Sequence, residues 1–203
     1  MLAPAQIVSF GVKAGVPLNS ALPNFDFGSS MVDTGRWTLG PTVELRLVHG
    51  FSLEVDALYR GYRLVFNSVD SPFAVGGVNF PSRLISDRQD TKIWDFPLLL
   101  KYRFTAGLVH PFLVAGYTWS HESSDEVAFS NCLGTSDVCN ASNQNASLNA
   151  PANSTQSRNR GGPTAGIGVE LKYGKVKIAP EMRYTRFGNP NGNNATLMVG
   201  FTF

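Results

Sequence analysis

Three histidines and two cysteines are the residues of this 203-residue chain that most readily support chemistry. His49 falls in a short Val48-His49-Gly50 turn and His110 at the start of an alternating segment, positions that serve structure. His121 stands beside Ser120, Glu122 and Asp125, the residue types of a nucleophile, base and orienting acid. Catalysis needs such groups to converge on one substrate atom, which consecutive residues of one segment rarely do. His121 is therefore the one catalytic candidate, and the expectation is that the chain is not an enzyme. Cys132 and Cys139 lie in a Ser/Asn-rich stretch with no histidine between or beside them to complete a metal-ligand set. Their spacing fits a small loop disulfide, and hence an oxidising compartment, with two free thiols as the alternative. No metal and no cofactor is expected.

The remaining chemistry is charge. The net charge is +2 and basic residues form no run, so the electrostatic footprint of a nucleic-acid binder is missing. The charged residues fall instead at every second position. Lys13, Arg36, Glu44, Arg46, Glu54, Asp56, Arg60, Asp95, Lys101, Arg103, Glu170, Lys172, Lys177, Glu181 and Arg183 share one face of an alternation whose other face is apolar.

That alternation defines the elements. Successive side chains of a strand point to opposite faces, whereas a helix would mix the two sets. In Arg36 to Leu47, Trp37, Leu39, Pro41, Val43, Leu45 and Leu47 oppose Arg36, Thr38, Gly40, Thr42, Glu44 and Arg46. The pattern recurs in residues 8–16, 51–62, 94–104, 109–120, 164–173, 176–185 and 195–203, making eight strands. Pro41, Pro97, Pro111 and Pro180 each remove a ladder donor and are expected at bulges or strand ends. No apolar run approaches the ~18–20 residues of a spanning helix. Val48-His49-Gly50, Thr105-Ala106-Gly107 and Gly174-Lys175 read as tight turns. The connections across 17–34, 67–90, 121–162 and 188–194 are long, the last but one being a mobile Ser/Asn-rich loop. Short links at one end and long ones at the other describe an up-and-down meander, and eight strands can close into a barrel.

A soluble barrel hides its apolar face, and a membrane barrel turns that face to lipid. Trp37, Tyr59, Trp94, Tyr117, Trp119 and Tyr184 cluster toward the long loops, and Phe51, Tyr102, Phe104, Tyr173 and Phe203 toward the short turns. Two aromatic levels with aliphatics between them match the interfacial girdles of a bilayer barrel. Gly11, Gly40, Gly166, Gly168 and Gly200 on the opposite face leave room for long side chains in a narrow lumen. The expected lumen therefore holds an ion-pair network, with Glu44, Glu54, Asp56, Glu170 and Glu181 as partners of Arg36, Arg46, Arg60, Arg103 and Arg183. Its role would be a polar plug, because open pores come with larger strand numbers.

The segments Ser9-Phe-Gly-Val-Lys-Ala-Gly15, Trp94-Asp-Phe-Pro-Leu-Leu-Leu-Lys-Tyr-Arg-Phe104, Pro180-Glu-Met-Arg-Tyr-Thr-Arg186 and Gly200-Phe-Thr-Phe203 make the whole chain resemble the small eight-stranded outer-membrane barrels of Gram-negative bacteria, OmpA/OmpX-like and opacity-type. The resemblance implies a bacterial outer-membrane location and a single barrel domain over 1–203. It also implies recognition of the terminal Phe201 and Phe203 by the barrel assembly machinery. Met1-Leu-Ala-Pro-Ala-Gln6 lacks the basic start and apolar core of an export signal and reads as the remnant of one. The expected partners are outer-membrane lipid and an extracellular ligand or surface held by the loops, with the protein a monomer. A soluble lipocalin-like ligand carrier and a barrel-embedded surface hydrolase are the alternatives.

Overall fold

A computed structural model of the chain describes residues 7–18, 30–31, 34–71, 73–75, 78–80, 82–104, 109–133, 152–174, 176–188 and 193–203. The side chains of 30–31, 34–36, 70, 73–75, 78–80, 83, 130–133 and 152 lie outside that description. The barrel strands are β1 Val8–Pro17, β2 Thr34–Arg46, β3 in two segments Phe51–Asp56 and Leu58–Asp70, β4 Ser82–Arg103, β5 Val109–Leu133, β6 Ala152–Tyr173, β7 Val176–Thr185 and β8 Asn194–Thr202. Every pairing is antiparallel, each strand pairs with the next, and β1 pairs with both β2 and β8. The sheet thus closes on itself and the eight barrel strands have no free edge through the wall.

The break in β3 has a local cause. Ala57 donates its N–H to the Pro41 carbonyl at 3.1 Å, but Pro41 has no N–H to return. The register of β2 against β3 is the same on either side, Thr42 opposite Asp56 and Leu39 opposite Tyr59. Pro97 and Pro180 depart from the sequence expectation. They sit inside β4 and β7 with unbroken register, opposite Thr118 and Val199. The turn from β2 to β3 places His49 and Gly50 at φ 57° and 84°, the left-handed pair of a tight hairpin, which accounts for the glycine.

The larger correction concerns the long connections. Residues 121–133 and 152–162, expected as loop, are strand, and so are 67–70 and 82–90 of the expected 67–90 connection. They pair in continuous register, Asp70 with Arg83 on one side and Ala152 with Ala128 on the other. β3 to β6 therefore run past the barrel as a four-stranded antiparallel sheet. Periodicity hid this because both faces of the extension are polar or mixed, as in Ser123-Ser-Asp-Glu126 opposite Ser154-Thr-Gln-Ser157. Backbone pairing holds such strands where hydropathy carries no signal.

The core is inverted relative to a water-soluble barrel. Lys13, Glu44, Glu54, Asp56, Lys101, Glu181 and Arg183 are buried, while Leu98, Leu100, Leu113, Ile167 and Leu197 are exposed on the outer wall.

Candidate functional site

The lumen is built by the inward-facing set of each strand. At its centre Lys13 of β1 meets Glu54, Asp56 at 3.4 Å and Glu181 at 3.2 Å. Arg183 of β7 spans the same three carboxylates, reaching Asp56 Oδ2 through Nη1 at 2.6 Å and bonding Glu54 and Glu181 as well. Lys101 of β4 joins Glu54 at 3.2 Å to Glu44 at 3.4 Å, and Arg103 links Glu44 to Glu170 at 2.8 Å. Six strands thereby contribute to one connected cluster. Lys13, Lys101 and Arg183 are answered by Glu54, Asp56 and Glu181, so its central part is charge-balanced.

The other side of the lumen is apolar. Leu99, Phe112, Val114 and Ala179 form a buried cluster, and Lys101 Nζ stands 4.0 Å from the Phe112 ring centroid. Gly168 makes room for this ring, since a Cβ there would lie 2.3 Å from Phe112 Cζ. Gly166 and Gly200 lie instead against the Arg183 and Lys13 side chains. Toward the outer end, Thr118, Thr164 and Thr185 form a hydroxyl chain at 2.6 and 2.9 Å. A small space of about 30 Å³ lies beside it, bounded by Asp95, Arg183 and Thr196. That holds roughly one water molecule. The outer mouth carries two more ion pairs, Arg60 with Asp95 at 3.0 Å and Arg160 with Glu122 at 3.4 Å.

Not every expected member joins the network. Lys172 is exposed one residue before the Tyr173-Gly174 turn, opposite the buried Lys177, and makes none of these ion pairs. Arg46, 37% exposed, reaches the network only at its margin, through a long ion pair with Glu44 at 4.0 Å. The Arg36 side chain lies outside the described residues, as do Cys139 and the Cys132 side chain. Lys13 takes a central place that its position on the charged face left unassigned. Which carboxylate a lysine meets across the barrel is a matter of closure, and no sequence signal announces it.

The catalytic candidate comes apart on strand geometry. His121 is exposed on the outer face and its Nδ1 lies 2.6 Å from Asn159 Oδ1. Ser120 and Glu122 point to the opposite face, Ser120 donating to Asp95 at 2.5 Å and Glu122 facing Arg160. Alternation itself separates the residues that adjacency in sequence had grouped.

The aromatic residues expected as girdles lie on the outer wall at two levels. Trp37, Tyr59 and Trp94 run as a chain with centroids 5.7 and 5.2 Å apart, and Tyr117 packs on Trp119 at 5.0 Å. At the other end Phe51, Tyr102 and Phe104 follow at 4.8 and 5.0 Å. Along β4, Trp94 and Tyr102 are eight residues apart. For a strand tilted about 40° that is roughly 20 Å of height, close to the ~25 Å apolar band of an outer-membrane barrel.

An eight-stranded closed barrel with a charged lumen and an apolar, aromatic-ringed outer wall is the architecture of a small outer-membrane protein. The chain belongs to the outer membrane protein beta-barrel domain family, which matches residues 1–203, and its place is the bacterial outer membrane. Among solved structures it is similar to Neisserial surface protein A, with TM-score 0.50 and 15% identity, over 96% of this chain and 95% of that one. It is also similar to Ail, the attachment invasion locus protein of Yersinia pestis (TM-score 0.44, 11% identity, 96% and 98% covered). The N-terminal β-barrel domain of Pseudomonas aeruginosa OprF gives TM-score 0.43 and 13% identity, with 98% of both chains covered. No curated protein sequence matches the chain.

Proposed function

We propose that this protein is a closed, monomeric barrel that serves as a rigid pedestal for an extracellular binding surface, acting through adhesion or ligand contact and carrying out no catalysis. The observation that carries this reading is the pairing of a filled lumen with strands that continue beyond the wall. Ion pairs among Lys13, Glu54, Asp56, Lys101, Glu181 and Arg183 occupy one side of the lumen and Leu99, Phe112 and Val114 the other. A path for solutes would have to break several buried ion pairs together, each strongly destabilising to open. Meanwhile β3 to β6 lift a paired sheet and its loops away from the membrane. Ordered strands present their loops with less lost entropy on binding than free loops would.

The outward Phe201 and Phe203 at the end of β8 support recognition of this strand by the barrel assembly machinery, and the two aromatic levels support a direct lipid contact. The test has two arms. Planar-bilayer recordings of the reconstituted protein are expected to show no stable conductance, and large steady openings would overturn the plug. Binding to host-cell or matrix surfaces is expected for the intact protein and not for one with residues 64–89 and 122–158 replaced by short turns. Equal binding by both would overturn the pedestal.

A further inference from the structure

Just above the outer tryptophans the lateral wall changes character. On the outward face Lys92 follows Trp94 on β4 and Gly61 follows Tyr59 on β3, with Arg63 and Asp90, opposite each other in register, coming next. Same-face steps of ~6.6 Å along strands tilted by about 40° raise these positions by roughly 5 and 10 Å above the rings. The first of these is headgroup depth, since the polar layer adds about 5–8 Å to each side of the hydrocarbon core, and the second stands just beyond it, within reach of a long side chain.

At this height the wall is notched. Arg36 and Trp37 both lie opposite Gly61 in a β-bulge, and Gly61 contributes no side chain. The resulting cavity of about 520 Å³ is lined by Trp37 and Tyr59 below and by Arg63, Asp90, Lys92 and Asp125 above. Arg63 and Arg88 both bond Asp90 through Nε, Arg88 at 3.0 Å, so two guanidinium groups share one carboxylate. Each guanidinium has five N–H donors, which leaves capacity for a further anion. Asp125 accepts a hydrogen bond from Thr155 Oγ1 at 3.0 Å. Lys92 is exposed and makes no ion pair among the described residues. Arg63 and Lys92 line the notch with Asp90 and Asp125, and Arg88, outside the lining, is bonded to the same carboxylate as Arg63, so the wider cluster above the aromatic rings holds three cations and two carboxylates.

We propose that this notch binds a phosphate-bearing lipid headgroup of the outer leaflet. Lys92 and the guanidinium edge of Arg63 hold the phosphate, with Arg88 sharing the Asp90 carboxylate that Arg63 would otherwise hold alone, while Trp37 and Tyr59 pack against the start of the acyl region. Lipid is the occupant because the notch is continuous with the lipid-facing wall and opens sideways at headgroup depth. A phosphate is selected because it satisfies a planar guanidinium fork and an ammonium together. This site is separate from the loop surface of the pedestal reading and goes beyond it.

The chain carries its own reporter: all three tryptophans, Trp37, Trp94 and Trp119, stand in the outer girdle. The protein is reconstituted in phosphatidylcholine vesicles containing a minority of either brominated phosphatidic acid or brominated phosphatidylcholine, and tryptophan quenching gives the relative association of the two lipids. The expected result is a several-fold preference for phosphatidic acid. Lys92→Gln lowers it, Lys92→Gln with Arg63→Gln brings it to parity, and Lys172→Gln at the other end of the barrel leaves it intact. Heat-modifiable migration checks that each variant is folded, and the single Lys92→Gln change, at an exposed side chain, keeps the test open if the double variant is not. Parity in the unaltered protein, or a preference that survives loss of Lys92, would overturn the site. Neither result touches cell-surface binding, so failure here is distinct from failure of the pedestal.

Discussion

Replacing Glu54 by Gln tests whether the lumen is held by charge. Glu54 touches Lys13, Lys101 and Arg183, all nearly inaccessible to solvent, and the substitution keeps shape while removing charge. Three charge-assisted hydrogen bonds at ~1.5–3 kcal/mol each set an upper bound of roughly 5–9 kcal/mol. The structure lowers that figure, because each cation keeps another carboxylate: Lys13 has Glu181 at 3.2 Å, Arg183 has Asp56 at 2.6 Å and Lys101 has Glu44 at 3.4 Å. What remains is a cluster in which four cations still face four carboxylates but the carboxylate that three of them shared is gone, which places the loss no higher than the lower end of the range for a broken buried pair, about 3 kcal/mol. Urea unfolding in phospholipid vesicles, followed by tryptophan emission, should therefore show an unfolding constant ~100-fold larger. A Glu54→Gln protein that unfolds within about 0.5 kcal/mol of the original, the scatter of a neutral surface change, would refute the reasoning.

Three other substitutions probe the wall and the extension. Gly168→Ala drives a methyl into the Phe112 ring and should cost ~1–3 kcal/mol, partly relieved by Phe112→Leu in the same unfolding assay. Leu98→Arg, midway between Trp94 and Tyr102 on the outer wall, should cost about 2–4 kcal/mol in vesicles; a neutral result would deny that this face meets lipid. In the extension, burial, with the nearby Glu126 adding to it, pushes the Asp87 carboxyl above its ordinary range. A carboxyl whose folded value is raised destabilises the fold when ionised, and that cost disappears as the pH falls through the raised value. Asp87→Asn should therefore slow amide exchange in β4 and β5 beyond the barrel at neutral pH, and the difference should vanish on acidification.

Much of the barrel is legible in the sequence because a strand displays its two environments at alternate residues. Trp37, Leu39 and Val43 against Thr38, Thr42 and Glu44 need no tertiary information to be separated, and the same alternation divides His121 from Ser120 and Glu122. The extension was not legible: Ser123 to Glu126 and Ser154 to Ser157 form strands through backbone bonds, which leave no hydropathy signature when both faces meet water. Alternation also shows only that charge and lipid-type residues lie on opposite faces, which a soluble barrel would share. Closure of the ring turns the charged face inward, and only then does Lys13 of β1 find Glu54 of β3 and Glu181 of β7, partners 41 and 168 residues away. The sequence by itself determined which residues share a face, because the period of a strand is local. The tertiary structure decided which face is inside, which charges meet and where the wall is notched, because those depend on strands remote in the chain being brought to one barrel.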